Sequence, residues 1–192
     1  MLNKFLVAAC LFLLPGCLST IDATHLQTPT SVPEDPEYNK IYSESSQQFD
    51  FIDKFVTRYK ISITQLNTNF RQAMAARHEK VFFEPQPQLT DASQKTAFFV
   101  TIYSSNIKLS DLSDERLWSI QLRTGSSVLK PNAIKSLTPK ERWQVFFPNI
   151  TQWSTEYLLL FDQAPPANQP DAVNATSELI LASPDGSITT RW

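Results

Sequence analysis

Side chains able to do chemistry are sparse in this sequence, and their spacing limits what they can do. Ser110-Asp111-Leu112-Ser113-Asp114-Glu115 places three carboxylates within five positions, a density that could hold calcium. It lacks the alternate-position ligands and turning glycine of an EF-hand loop, so Ser and Asp side chains closing local turns account for it. A Ser/His/Asp triad would have to recruit His25 or His78, the two histidines of the chain, and neither stands near a serine on a strand-to-helix elbow. His25 has no second ligand nearby for a metal. A hydrolytic carboxylate pair among Asp91, Asp111, Asp114, Glu156, Asp162 and Asp185 stays open, because sequence spacing does not report proximity in space. The two cysteines cannot build a disulfide framework or a four-ligand metal site, and three glycines cannot furnish a phosphate-cradling loop. No cofactor is expected. With 17 Lys and Arg against 19 Asp and Glu, the chain lacks the positive surplus that binding of nucleic acid by counterion release requires.

The elements that position these residues begin at a processed N-terminus. Lys4 supplies a positive charge, Phe5 to Leu14 is a nearly unbroken apolar run, and Pro15, Gly16 and Cys17 close it. That is a secretory signal layout, too short to span a bilayer. Leu14-Pro15-Gly16-Cys17 resembles the lipobox of bacterial lipoproteins, with Leu14, Gly16 and Cys17 in the family pattern and Pro15 departing from the usual small or β-branched residue. The resemblance implies cleavage before Cys17 and its lipidation by a diacylglyceryl thioether and an N-acyl chain, so that Cys10 leaves with the signal. Several acyl chains at about 0.8 kcal/mol per buried CH₂ anchor a protein stably. Leu18 and Ser19 follow the cysteine without an aspartate at the second position, which by the lipoprotein sorting rule implies the bacterial outer membrane.

Four segments are expected: a signal at 1–16, a lipidated cysteine and flexible tether at 17–46, an amphipathic helix within 47–84, and a β-sandwich at 90–192. The tether carries Pro29, Pro33 and Pro36 among Thr, Ser, Glu and Asp, with no Phe or Trp. Its reach is about 95 Å if fully extended. The helix, about Gln48 to His78, rests on Ile52, Val56, Tyr59, Ile63, Leu66 and Phe70, which step by four and three in alternation. Phe51 and Phe55 widen this stripe, and a wide stripe docks on its own domain where a strict seam would suit a second chain. Arg71, Arg77, His78 and Lys80 sit toward its C-terminal end, where positive charge offsets the helix dipole.

Beyond Glu84-Pro85-Gln86-Pro87 the period falls to two. Strands are expected at Ala97–Tyr103, Trp118–Arg123, Arg142–Phe147, Tyr157–Phe161, Leu179–Ala182 and Ile188–Trp192, with a further stretch from Val128 to Leu137 broken at Pro131. Ser183-Pro184-Asp185-Gly186 turns the last hairpin. Thr138-Pro139-Lys140-Glu141 predicts one short helical turn before Trp143. The fold class is therefore mainly β with one long helix, α+β: an antiparallel β-sandwich, immunoglobulin-like or transthyretin-like, with the helix packed on one sheet. Trp118 suits a central core position, and Tyr157 a tyrosine-corner-like one.

Phe98-Phe99 and Phe146-Phe147, if in strands, each send one ring to the face away from the sandwich core, and the helix is the available lid. Phe51, Phe55, Phe99 and Phe146 form the candidate partner surface wherever that lid leaves them open. The functional expectation is a non-enzymatic, lipid-anchored envelope lipoprotein that contacts the membrane through Cys17 and binds an envelope protein as an accessory of assembly. In plan it is similar to the sandwich lipoproteins that attach type VI secretion machinery to the outer membrane, without a shared motif. The alternative is an envelope hydrolase or ligand-binding lipoprotein that uses loop carboxylates.

Overall fold

Alternation of branched and aromatic residues builds two antiparallel sheets that share one core. The computed structural model describes residues 34–82, 95–162 and 177–192. Helix α1 (Pro36–Ser45) runs into strand β1 (Ser46–Asp53), then β2 (Val56–Gln65), helix α2 (Thr68–Phe82) and β3 (Thr96–Ser104). There follow β4 (Ser119–Thr124), β5 (Ser127–Leu129), β6 (Ala133–Ser136), β7 (Thr155–Phe161), β8 (Ser177–Ser183) and β9 (Gly186–Arg191). One sheet has the order β1-β2-β3-β7-β6 and the other β5-β4-β8-β9, and every pairing is antiparallel. This is a mainly β, α+β sandwich with its helices laid on one sheet.

Two cores result, and the period-two pattern explains both. Between the sheets lie Ile61, Ile63, Phe98, Val100, Ile102, Trp118, Ile120, Leu122, Leu159, Phe161, Leu179 and Leu181. The intervening positions Ala97, Phe99, Leu158 and Leu160 face the other way and meet Tyr38 and Tyr42 of α1 and Phe70 and Met74 of α2. Phe98 and Phe99 thus divide between the cores, as expected, and helices do cover the outer face. Trp118 belongs to the first core, its ring edge-on to Tyr59 and its Nε1 donating to the Leu109 carbonyl. The Tyr157 hydroxyl lies 3.4 Å from Asp111 Oδ1 and also meets the Leu112 backbone in the same loop. Trp192 packs on Phe98, and its backbone closes two hydrogen bonds with Ser177.

Three expected elements differ from those observed. The helix at 47–84 is two strands followed by a shorter helix: Gln47 to Gln65 forms the β1–β2 hairpin, and α2 begins at Thr68. The alternation Tyr59, Ile61, Ile63 fits a strand as well as the heptad fits a helix, and the β-branched content of Ile52 to Thr64 favours the pleat. The reverse happened at Arg142–Phe147, expected as a strand. Trp143, Phe146, Phe147 and Ile150 are spaced three, one and three apart, a helical period, and helical turns form there: Phe147 N–H bonds to the Trp143 carbonyl and Ile150 N–H to that of Phe147. All four rings or chains then enter the second core, where Phe147 stacks on Phe99.

The third difference is the tether. Residues 36–45 of the expected 17–46 coil are α1, because Asp35 and Pro36 are a helix start: the Asp35 carboxylate accepts from Tyr38 N–H at 3.1 Å and Pro36 takes the first helical position. Tyr38 and Tyr42 supply the buried face that Phe or Trp would otherwise provide. Asp35 also takes Lys80 at 3.0 Å and Arg77 at 3.9 Å from α2. The Tyr38 backbone bond and the Lys80 ammonium hold its carboxyl below the usual range. Arg77 further donates to the Val145 carbonyl and lies over the Tyr38 ring, so this basic group ties α1, α2 and the Trp143–Ile150 turns together and does more than offset a dipole.

Buried tyrosines make the fold sensitive to alkali. Burial raises the Tyr38, Tyr59 and Tyr157 hydroxyls above the ordinary value of 10.0, Tyr157 to about 12. A raised folded-state pKa means that the folded protein holds these protons more tightly. The associated stability is therefore whole below pH 10 and is lost as the pH climbs through about 12. Urea midpoints should fall between about pH 9 and about pH 11.5, and less steeply in Tyr157→Phe. Identical slopes in the variant and the parent would show that Tyr157 ionises as freely folded as unfolded.

Candidate functional site

The most unusual local geometry is at the tip of the β1–β2 hairpin. Asp53 pairs with Val56, so Lys54 and Phe55 alone make the turn, and both have positive φ, 49° and 66°. A two-residue turn of this kind matches the right-handed strand twist and ordinarily uses Asn-Gly, since a side chain in the left-handed region costs about 1–2 kcal/mol. Here two long side chains occupy it. Phe55 is entirely exposed at 103%, Ile52 at 60%, Val56 at 51% and Phe51 at 40%. Exposed Ile107 joins them at the same end of the sheet, where Ser105 N–H donates to the Arg58 carbonyl.

The base of the hairpin is held while its tip is open. A register shift between Phe51 and Ile52 bends the edge strand. Arg58 pairs with Asp53 at 3.1 Å across the neck. Phe51 packs on Tyr59, whose hydroxyl donates to Asp185 Oδ2 at 2.6 Å and so links the hairpin to the β8–β9 turn. Acid and base are mixed around the tip: Asp50, Asp53, Lys54 and Arg58.

Of the expected partner surface, Phe51 and Phe55 come together here, on a hairpin and not on a helix. Phe99 and Phe146 do not. Both are 2% exposed inside the second core, because the helices and the Trp143–Ile150 turns cover them. Ile52, Lys54 and Val56 were missed as members of the tip. The signal available was the alternation on either side of Asp53-Lys54, without the glycine that marks most hairpins. Cys17 lies outside the described residues, as do Asp91 and His25.

Of the carboxylates considered for catalysis, the five among the described residues each have a separate partner, although Asp111 and Asp114 line one shallow pocket. Asp111 accepts from Ser113, Asp114 from Arg116, Asp162 from Lys95 and Asn132, Asp185 from Tyr59, and Glu156 from Ser154. The Asp111 and Asp114 bonds are the local turns expected of the Ser110–Glu115 loop. Glu156 is buried, and burial raises its carboxyl above the usual value. His78 is buried against Phe82 and Phe146 on α2, with Arg142 beside it. Among the described residues no three His, Cys, Asp or Glu side chains gather as a metal site, and no helix is long and apolar enough to cross a membrane.

No protein-family model matches the chain, and neither the curated proteins nor the solved structures contain a significant match to it.

Proposed function

We propose that this protein is a lipid-anchored envelope lipoprotein, held at the bacterial outer membrane through Cys17, that binds a protein partner with its β1–β2 hairpin tip and carries out no reaction. The observation that carries this reading is Phe55, fully exposed on a turn in which both central residues occupy the left-handed region. Strain of this kind persists where a side chain is kept for contact, since glycine would relieve it. Phe51, Ile52 and Val56 enlarge the apolar patch. Asp50 and Asp53 among the basic residues favour a protein over an anionic bilayer, which selects uncompensated Lys and Arg clusters. The Leu14-Pro15-Gly16-Cys17 run supports the anchor. Among the described residues, the loop carboxylates Asp111, Asp114, Asp185 and Glu156 are engaged by separate partners and lend the hydrolase alternative no support.

Two measurements test the proposal. Fatty-acid label should enter the wild-type protein and be absent from Cys17→Ser; label persisting in the variant would remove the anchor. In-cell crosslinking with mass spectrometry should recover a discrete protein with the wild type that Phe55→Gly loses. Equal recovery with Phe55→Gly would remove the tip as the binding site.

A further inference from the structure

The outer face of the five-stranded sheet is apolar beneath the helices and polar beyond them. In that open part, Gln48 and Asp50 of β1, Lys60 and Ser62 of β2, and Thr101 and Tyr103 of β3 stand on the face opposite Ile61 and Ile102. The loop from Pro148 to Ser154 rises beside them and completes a groove of about 410 Å³, within the range of small-ligand sites.

The loop wall is built and braced. Asn149 Nδ2 donates to Tyr42 Oη and to Ser62 Oγ, each at 2.9 Å. Lys140 Nζ donates to the carbonyls of Thr151 and Gln152 at 3.0 and 2.7 Å. The Ser154 hydroxyl joins the Glu156 carboxylate under the loop. On this fixed wall Trp153 is 71% exposed at the groove. Inside the groove, the side chains of Gln48, Asp50, Lys60, Thr101 and Tyr103 make no hydrogen bond or ion pair to another described residue. Asp50 and Lys60 are directly opposite in the β1–β2 register, so the lining is charge-balanced.

A ligand suited to this groove must have no net charge, must offer many donors and acceptors, and must present one apolar face to an indole. An anion would need excess positive charge, and a lipid chain would cover Asp50 and Lys60 without offering them polar partners. We propose that the groove binds a neutral oligosaccharide, one pyranose ring lying with its C–H face on Trp153 while its hydroxyls bond to Gln48, Asp50 and Lys60. This site is distinct from the apolar hairpin tip: Asp50 borders both, but Phe51, Ile52, Phe55 and Val56 do not line the groove.

Isothermal titration calorimetry of the purified protein with cellotetraose, maltotetraose and N-acetylated chitotetraose tests the proposal. At least one of these should bind with Kd of about 1 mM or tighter. Trp153→Ala and Lys60→Ala should each weaken that sugar about tenfold or more while circular dichroism stays unchanged, and Trp153→Phe should retain part of the affinity. Phe55→Gly should bind the sugar like the wild type, which separates failure here from failure of the partner reading. No heat from any of the three sugars, or equal binding by Trp153→Ala, would overturn the assignment, as would binding of polygalacturonate in their place.

Discussion

Phe70→Ala is expected to destabilise the fold by about 3–5 kcal/mol, a large share of the stability of a typical domain. Phe70 is 0% exposed, and its ring meets Tyr38 at 5.9 Å, Tyr42 at 6.2 Å and Phe147 at 5.8 Å. It is the point where α1, α2 and the Trp143–Ile150 turns converge on the sheet. Those neighbours are themselves fixed: the Tyr38 hydroxyl donates to the Phe146 carbonyl at 2.8 Å, and Asn149 donates to the Tyr42 hydroxyl. They cannot collapse into the space left by a missing ring, so the cavity penalty adds to the lost transfer energy. Chemical denaturation followed by circular dichroism measures the loss, and Phe70→Leu, at about 1–2 kcal/mol, serves if the alanine variant does not fold. A change under about 1 kcal/mol for alanine would mean that the helical layer is not part of the cooperative unit.

Phe55→Gly is expected to act in two directions at once. Glycine relieves about 1–2 kcal/mol of left-handed strain at φ 66° and returns roughly 0.5–1 kcal/mol of backbone entropy to the unfolded chain. No packing is lost, because the ring is fully exposed. The fold should therefore gain up to about 1.5 kcal/mol, and Lys54→Asn with Phe55→Gly should gain somewhat more by restoring the preferred turn pair. Partner affinity should drop by at least about thirtyfold, the size of loss associated with truncating an aromatic anchor. A rise in the denaturation midpoint together with a loss of binding is the pattern of a site held at the expense of stability. A fall in stability would show instead that Phe55 packs within the fold.

Much of the sandwich was legible in the sequence because its strands obey local rules. Trp118, Ile120 and Leu122 alternate with Ser119, Gln121 and Arg123, and Ser183-Pro184-Asp185-Gly186 turns β8 into β9. The misread segments are those in which one apolar set satisfies two periods. Ile52, Val56, Tyr59 and Ile63 fit a heptad, yet Tyr59, Ile61 and Ile63 also alternate; Trp143, Phe146 and Phe147 contain an aromatic doublet typical of strands, yet carry helical spacing. Which period wins depends on what each residue meets across the fold, and that information is tertiary. The hairpin turn was hidden for a different reason. Lys54-Phe55 departs from the residue types that its backbone prefers, and such departures concentrate where a protein does its work. The groove was illegible because Lys60, Thr101 and Trp153 come from three distant stretches of chain.

The central claim is that the hairpin tip meets a protein. A photo-reactive phenylalanine analogue placed at position 55, compared in living cells with the same analogue at half-exposed Val128 on β5, tests it most directly. The account predicts a discrete protein adduct from position 55 and none of that mass from position 128. Adducts to lipid alone, or the same adducts from both positions, would contradict it.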